Sequence, residues 1–268
     1  MSNSISSTLD QQIKLERFED VFTITFTGSP HKANVFNIPL LHHLSRLLDE
    51  VEEEVGTDPC CLVFIGHGEK FFSAGFDLKV LTGGDPSIGK ELVELSWKVL
   101  ARLLVFPAPT ITCFNGHAFG LGLFIGLACD HRVMISPSAS ANQNQNQKGG
   151  KLCLPEINIG LPLGRGFAQL AKCKMNKDTL RTAALTGKKY SSHEALNAGI
   201  IDAIVSPQTS QEQESGSGIP KEVLEMAESL VPTASKGNLS SIKMELYHET
   251  HDILLEGYIE QDEINATA

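Results

Sequence analysis

The sequence predicts an α/β fold, and three observations carry that prediction. Short strand-type runs alternate with apolar stripes at helical spacing. Two of those runs end in glycine turns, within Phe71-Phe72-Ser73-Ala74-Gly75-Phe76-Asp77-Leu78 and Asn115-Gly116-His117-Ala118-Phe119-Gly120-Leu121-Gly122. Two amphipathic helical segments follow a linker rich in Ser, Gln, Glu and Gly. Strand and helix in alternation imply parallel pairing with right-handed crossovers.

The elements follow in chain order. Residues 13–27 read as two short strands around Glu19-Asp20, and Val21 to Phe26 is the clearer of them by its alternation. Gly28-Ser29-Pro30 then breaks the chain. Asn37 suits a helix cap, with Pro39 in the first turn. Leu40, Leu41, Leu44, Leu47, Leu48, Val51 and Val55 form one helical stripe behind it. Leu62 to Ile65 is all apolar, as expected of a strand covered on both faces. A helix over 87–105 precedes Pro107-Ala108-Pro109, and Thr110 to Phe114 is the next strand. Leu121 to Cys129 reads as a buried helix, and Arg132 to Ile135 as a strand. Asn142 to Gln147 alternates Asn and Gln and cannot build a core, so 142–150 reads as an inserted surface loop. Beyond the linker 206–218, Pro220 to Val231 and Leu239 to Leu255 read as helices.

Composition excludes several classes of function. The 268 residues carry a formal net charge of −10, which argues against a nucleic-acid partner, because phosphate backbones need a basic surface. No stretch is long and apolar enough to span a bilayer; the longest, Ala118 to Cys129, contains Gly120, Gly122 and Gly126. Met1 to Asp10 is polar and lacks the apolar centre of a signal peptide. The final residues, Asn265-Ala266-Thr267-Ala268, are not a Ser-Lys-Leu address. Six cysteines without a C-x-x-C pair read as free thiols in a reducing compartment. His248 and His251 lack a third ligand, so no metal site is expected. Gly120 to Gly126 is one residue too long for a dinucleotide fingerprint, and NAD is set aside.

The chemistry concentrates in three places. A glycine turn after a strand leaves backbone N–H groups free to face a ligand, and two such groups aimed at one point make an oxyanion hole. Glu156, among Leu152, Leu154, Pro155, Ile157 and Ile159, is the candidate base. An apolar setting removes water from a carboxylate and raises its pKa toward useful values.

FFSAGFDL, NGHAFGLGL and LPEINIGLP resemble the core motifs of the enoyl-CoA hydratase/isomerase (crotonase) family, in the family's order, over about residues 12 to 205. Glu156 to Pro162 resembles the plant-type monofunctional Δ3,Δ2-enoyl-CoA isomerases most. The resemblance implies a crotonase-like ββα spiral core over 1–205, holding CoA and the active site. It further implies a linker at 206–218 and a C-terminal helical oligomerisation region at 219–268, building homotrimers or hexamers. Glu156 would be the catalytic base, and the N–H groups of Phe76 and Leu121 the oxyanion donors. CoA would be held at Lys32, Ala33, Ala74, Phe76, Asp77, Leu78 and Lys243. CoA is part of the substrate, and no separate cofactor is implied.

Departures from the family also inform. Family hydratases place a second glutamate where this chain has Phe124. Some fungal isomerases carry the base later, about where this chain has Gly164-Arg165-Gly166. A single glutamate suits isomerisation of a 3-enoyl-CoA to a 2-enoyl-CoA in unsaturated fatty-acid β-oxidation. The alternatives are an enoyl-CoA hydratase, an acyl-CoA hydrolase, or a non-catalytic acyl-CoA binding protein. The expected compartment is peroxisomal or cytoplasmic.

Overall fold

A computed structural model describes residues 12–27, 33–56, 58–83, 85–137, 149–207 and 218–256. The expectations for Lys32, for residues 142–148 of the insertion and for most of the linker lie outside the described residues.

The chain opens with β1 (Ile13–Phe18) and β2 (Val21–Phe26), an antiparallel hairpin whose turn residue Glu19 takes φ 52°. After β3 (Val35–Phe36), helix α1 (Ile38–Val55) starts at Asn37, whose side chain accepts from Leu40 N–H at 2.9 Å. The leucine stripe of α1 is its buried face, as its spacing predicts. Then come β4 (Cys61–Gly66), β5 (Phe71–Ser73), β6 (Gly75–Phe76), the short α2 (Leu78–Leu81) and α3 (Pro86–Leu104). Strands β7 (Thr110–Phe114) and β8 (His117–Phe119) lead into α4 (Leu121–Ala128), which is buried throughout. β9 (His131–Ile135) and β10 (Leu152–Cys153) precede a 3-10 turn, Glu156–Ile159. Helices α5 (Arg165–Lys174), α6 (Lys177–Thr186) and α7 (Ser192–Asn197) and strand β11 (Ala203–Val205) follow. The chain continues into α8 (Lys221–Ala234) and α9 (Leu239–Leu255).

The main sheet has the order β1-β2-β4-β7-β9-β11, parallel from β2 onward. A second sheet, β10-β8-β5, is parallel throughout, and β3 pairs with β6. Two apolar layers hold the main sheet. One face packs on α1, α3 and α4 through Phe26, Phe64, Leu100 and Phe114. On the other, Val21, Val63 and Ile111 meet Val223 and Ala227 of α8. β2 is therefore buried at every residue, although its alternation marks only one apolar face: α8 covers the side that Thr23 and Thr25 present. α9 packs against α3 and α5. Among the described residues, no helix is long and apolar enough to cross a membrane.

Candidate active site

The second sheet positions the site. β8 ends at Phe119, and Gly120 turns the chain into α4 with φ 51° and ψ −122°, a backbone that favours glycine. Leu121 is thus the first residue of a helix whose cap has no side chain to offer. A helix cannot satisfy its own first N–H groups, and the positive end of its dipole points the same way. Gly75 takes φ 91°, and a Cβ there would stand 2.7 Å from Phe119 O and 3.3 Å from Leu121 N. The two glycine turns therefore touch, which brings the backbones of Gly75-Phe76 and Gly120-Leu121 together from positions far apart in sequence.

A buried polar network holds the first turn. Ser73 Oγ donates to Asn34 O at 2.6 Å and accepts from Gly75 N–H at 3.0 Å. Asn34, at φ 50°, donates to Phe71 O and Phe72 O at 3.1 and 2.9 Å. Ala74 N–H donates to Ala33 O at 2.8 Å, and Asp77 N–H to Phe36 O at 2.9 Å. Sequence reasoning missed Asn34 and Ser73. A buried-run serine just before a glycine turn was the available signal.

Glu156 arrives from the other side. β10 pairs with β8, Gly120 N–H donates to Cys153 O at 3.1 Å, and the chain then turns at Pro155 into the 3-10 segment. Glu156 Oε1 lies 3.5 Å from the point where a Cβ on Gly120 would stand. Its Oε2 is buried without a hydrogen-bond partner. Burial pushes the carboxyl above the ordinary glutamate value, and a bond from its own backbone N–H offsets part of that. A desolvated carboxylate, a glycine turn and a helix N-terminus thus meet at one point.

An aromatic cluster packs against the Phe76 side chain of the first turn. Phe167 of α5 meets Phe124 at 4.6 Å between ring centroids, Phe76 at 5.9 Å and Trp97 at 5.8 Å. Phe124 is 1% exposed, so no polar group stands at that position. Phe167 carried no sequence signal.

The remaining expected residues divide. Ala74, Phe76 and Asp77 are partly exposed on the first turn, and Leu78 is 48% exposed. Asp77 also caps α2, accepting from Lys79 N–H at 3.0 Å. Lys243 is a correction. Its ammonium is buried and donates to Phe106 O and Ala108 O at 2.9 Å and to Asp130 Oδ2 at 2.6 Å. All three donors are taken inside the fold, so this lysine locks α9 to the start of β7 and is not free for a CoA phosphate. Among the described residues, no three His, Cys, Asp or Glu side chains are grouped to hold a metal.

Paired glycine turns beside one desolvated carboxylate are an arrangement able to polarise a carbonyl and to move a proton next to it. The model of the enoyl-CoA hydratase/isomerase family matches residues 16–252, and the chain belongs to that family. It is 31% identical over 240 residues to enoyl-CoA delta isomerase 3 of Arabidopsis thaliana, covering 88% of this chain and 92% of that protein. It is 27% identical over 193 residues to the short-chain-enoyl-CoA hydratase of Clostridium acetobutylicum, covering 72% and 68%. An apo enoyl-CoA isomerase structure from Mycobacterium tuberculosis shares the fold at a TM-score of 0.74 and 20% identity, covering 92% of this chain and 96% of that one.

Proposed function

We propose that the chain is a Δ3,Δ2-enoyl-CoA isomerase in which Glu156 alone moves the proton. The observation that carries this reading is the pairing of one desolvated carboxylate beside Gly120 with an apolar Phe124. Hydration asks for a carboxylate to activate water and a second group to complete proton delivery. An allylic shift asks only for one base that gives back what it takes.

Glu156 removes a proton from C2 of the 3-enoyl-CoA. The electron pair delocalises onto the thioester oxygen, where the N–H groups of Phe76 and Leu121 hold the dienolate. Glu156 then returns the proton at C4, and the double bond stands between C2 and C3. The aromatic cluster of Phe76, Phe124 and Phe167 supports this by giving the proposed Phe76 donor an apolar neighbourhood. CoA binding is proposed at Lys32, Ala33, Ala74, Phe76, Asp77 and Leu78, without Lys243.

The proposed physiological step is fatty-acid β-oxidation. A peroxisomal or cytoplasmic setting is supported by the free cysteines, of which all but Cys173 are fully buried. A homotrimer or hexamer is the proposed assembly. Product mass separates the readings: an isomer keeps the substrate's mass, while a hydrated or hydrolysed product does not. Water added by the wild-type protein at the rate of turnover would overturn the isomerase reading in favour of a hydratase.

A further inference from the structure

We propose that His117 is a positioning residue for Glu156, holding the start of β10 through a neutral imidazole; this rests on the role of Glu156 proposed above. β8 leads directly to Leu121, the oxyanion side of the site, and β10 leads to Glu156, the base side. How these two strands register therefore sets how the base faces the oxyanion donors. β10 is only two residues long; β8 pairs with one edge, and Leu152 exchanges bonds with Tyr190 at 2.9 and 2.8 Å on the other. Ala118 N–H donates to Lys151 O at 3.0 Å, and Gly120 N–H to Cys153 O at 3.1 Å. A side chain adds a link just ahead of the strand: Lys151 N–H donates to His117 Nδ1 at 3.0 Å.

A backbone N–H can only donate, so His117 Nδ1 must carry a lone pair and the ring proton must sit on Nε2. Protonation at Nδ1 would set two donors against each other and break the link. The ring has little freedom to escape. It stacks on Phe119 at 5.3 Å and 25°, and meets Phe71 at 5.4 Å and 61°. Its own backbone N–H donates to Lys70 O at 2.8 Å. The neighbouring backbones are equally confined. A Cβ on Gly116 would come within 2.5 Å of Lys70 C, and one on Gly150 within 2.5 Å of Gly116 O.

The surroundings of the ring favour the neutral form. Partial burial is the main cause that lowers the imidazole's pKa, followed by Lys189 after α6, Lys70 before β5 and Lys151 just ahead of β10. At neutral pH the link is made; on acidification His117 protonates and β10 loses it. The base would then lose its position as well as its charge.

The test has one arm without turnover and one with it. In ¹⁵N-labelled protein, His117 should show the Nε2–H tautomer, and the ¹³C carboxyl signal of Glu156 should titrate in two steps. The second step should vanish in His117→Asn, whose amide oxygen can accept from Lys151 N–H without titrating. An Nδ1–H tautomer, or a single Glu156 step in the wild type, overturns the proposal whether or not the protein turns over any enoyl-CoA. In the kinetic arm, log kcat of the wild type should fall on the acid side with a slope steeper than one where His117 titrates, and that of His117→Asn with a slope of one. His117→Phe should lower kcat about tenfold at pH 8 with KM little changed, and His117→Asn should recover most of that loss. A His117→Phe protein with wild-type kcat also overturns it. If the carboxyl titration is as expected yet no 3-enoyl-CoA reacts, the isomerase reading falls and the positioning role stands.

Discussion

Glu156 is held in a state that costs stability at neutral pH. Its Oε2 is buried with no partner, and burial raises the carboxyl's pKa above the unfolded value. The folded protein therefore binds this proton more readily than the unfolded chain does. The sign follows: the contribution is favourable below the unfolded pKa and is lost as pH rises through the higher folded one. Glu156→Gln should consequently raise the melting temperature at pH 7, by the equivalent of about 1 kcal/mol or more, while leaving it nearly unchanged near pH 4. Calorimetry at the two pH values checks this, and a lower melting temperature at pH 7 would mean the charge is satisfied. The same shift predicts that kcat falls on the acid side at a pH above the ordinary glutamate range, which a pH–rate profile reads directly.

Glu156 was legible because an acidic residue in an apolar run is unusual, and because the motifs around it are local. His117 was not. Its part depends on a backbone N–H at Lys151, which pattern cannot pair with it. Lys243 was misread for a related reason. A lysine on an amphipathic helix reads as solvent-facing, but its partner Asp130 lies 113 residues away in sequence. Only the fold brings the two together.

Two elements test the site's construction. The turn at Gly75 has no room for a side chain, since a Cβ would press on Phe119 O at 2.7 Å and φ is 91°. Gly75→Ala should displace the N–H of Phe76 and lower kcat by about a hundredfold or more, with a smaller change in KM. Steady-state kinetics on a variant shown to be folded would decide it. Helix α9 is tied to β7 by Lys243 and Asp130, whose oxygen also accepts from Thr110 N–H at 2.8 Å and Thr110 Oγ1 at 3.0 Å. Removing one partner of a buried pair leaves the other charge uncompensated. Lys243→Met should cost about 3–5 kcal/mol in denaturant unfolding. Because this lysine faces inward, KM for an enoyl-CoA should stay the same where the variant is folded. A KM raised without loss of stability would restore the CoA role that the structure removes.

Elements with strong periodicity or a clear cap were readable. α1 begins at Asn37 and α9 spans Leu239–Leu255, as their patterns predict. α5, α6 and α7 were not read, because they are short and largely polar. A partial signal existed in α7, where Ser191 and Glu194 form a capping box.

Across the whole molecule, the C-terminal segments complete the core. α8 covers the second face of the main sheet through Val223 and Ala227, and α9 packs on α3 and α5. α9 nevertheless leaves Ile242 44% and Leu246 66% exposed, four residues apart on one helix. Sequence alone showed these helices as amphipathic but not which surface they meet, since that surface is built from strands far earlier in the chain. The proposed assembly predicts a native mass three or six times 29.1 kDa by light scattering. A mass of one chain at micromolar concentration would set that assembly aside.

The central claim is that one carboxylate shuttles one proton. Purified protein and its Glu156→Gln variant would be incubated with trans-3-hexenoyl-CoA while formation of the 2-enoyl-CoA is followed. Isomerisation by the wild type, reduced about a thousandfold or more in the variant, is the predicted result. Turnover that survives in Glu156→Gln, or a wild type inert toward 3-enoyl-CoA of every chain length, would contradict it.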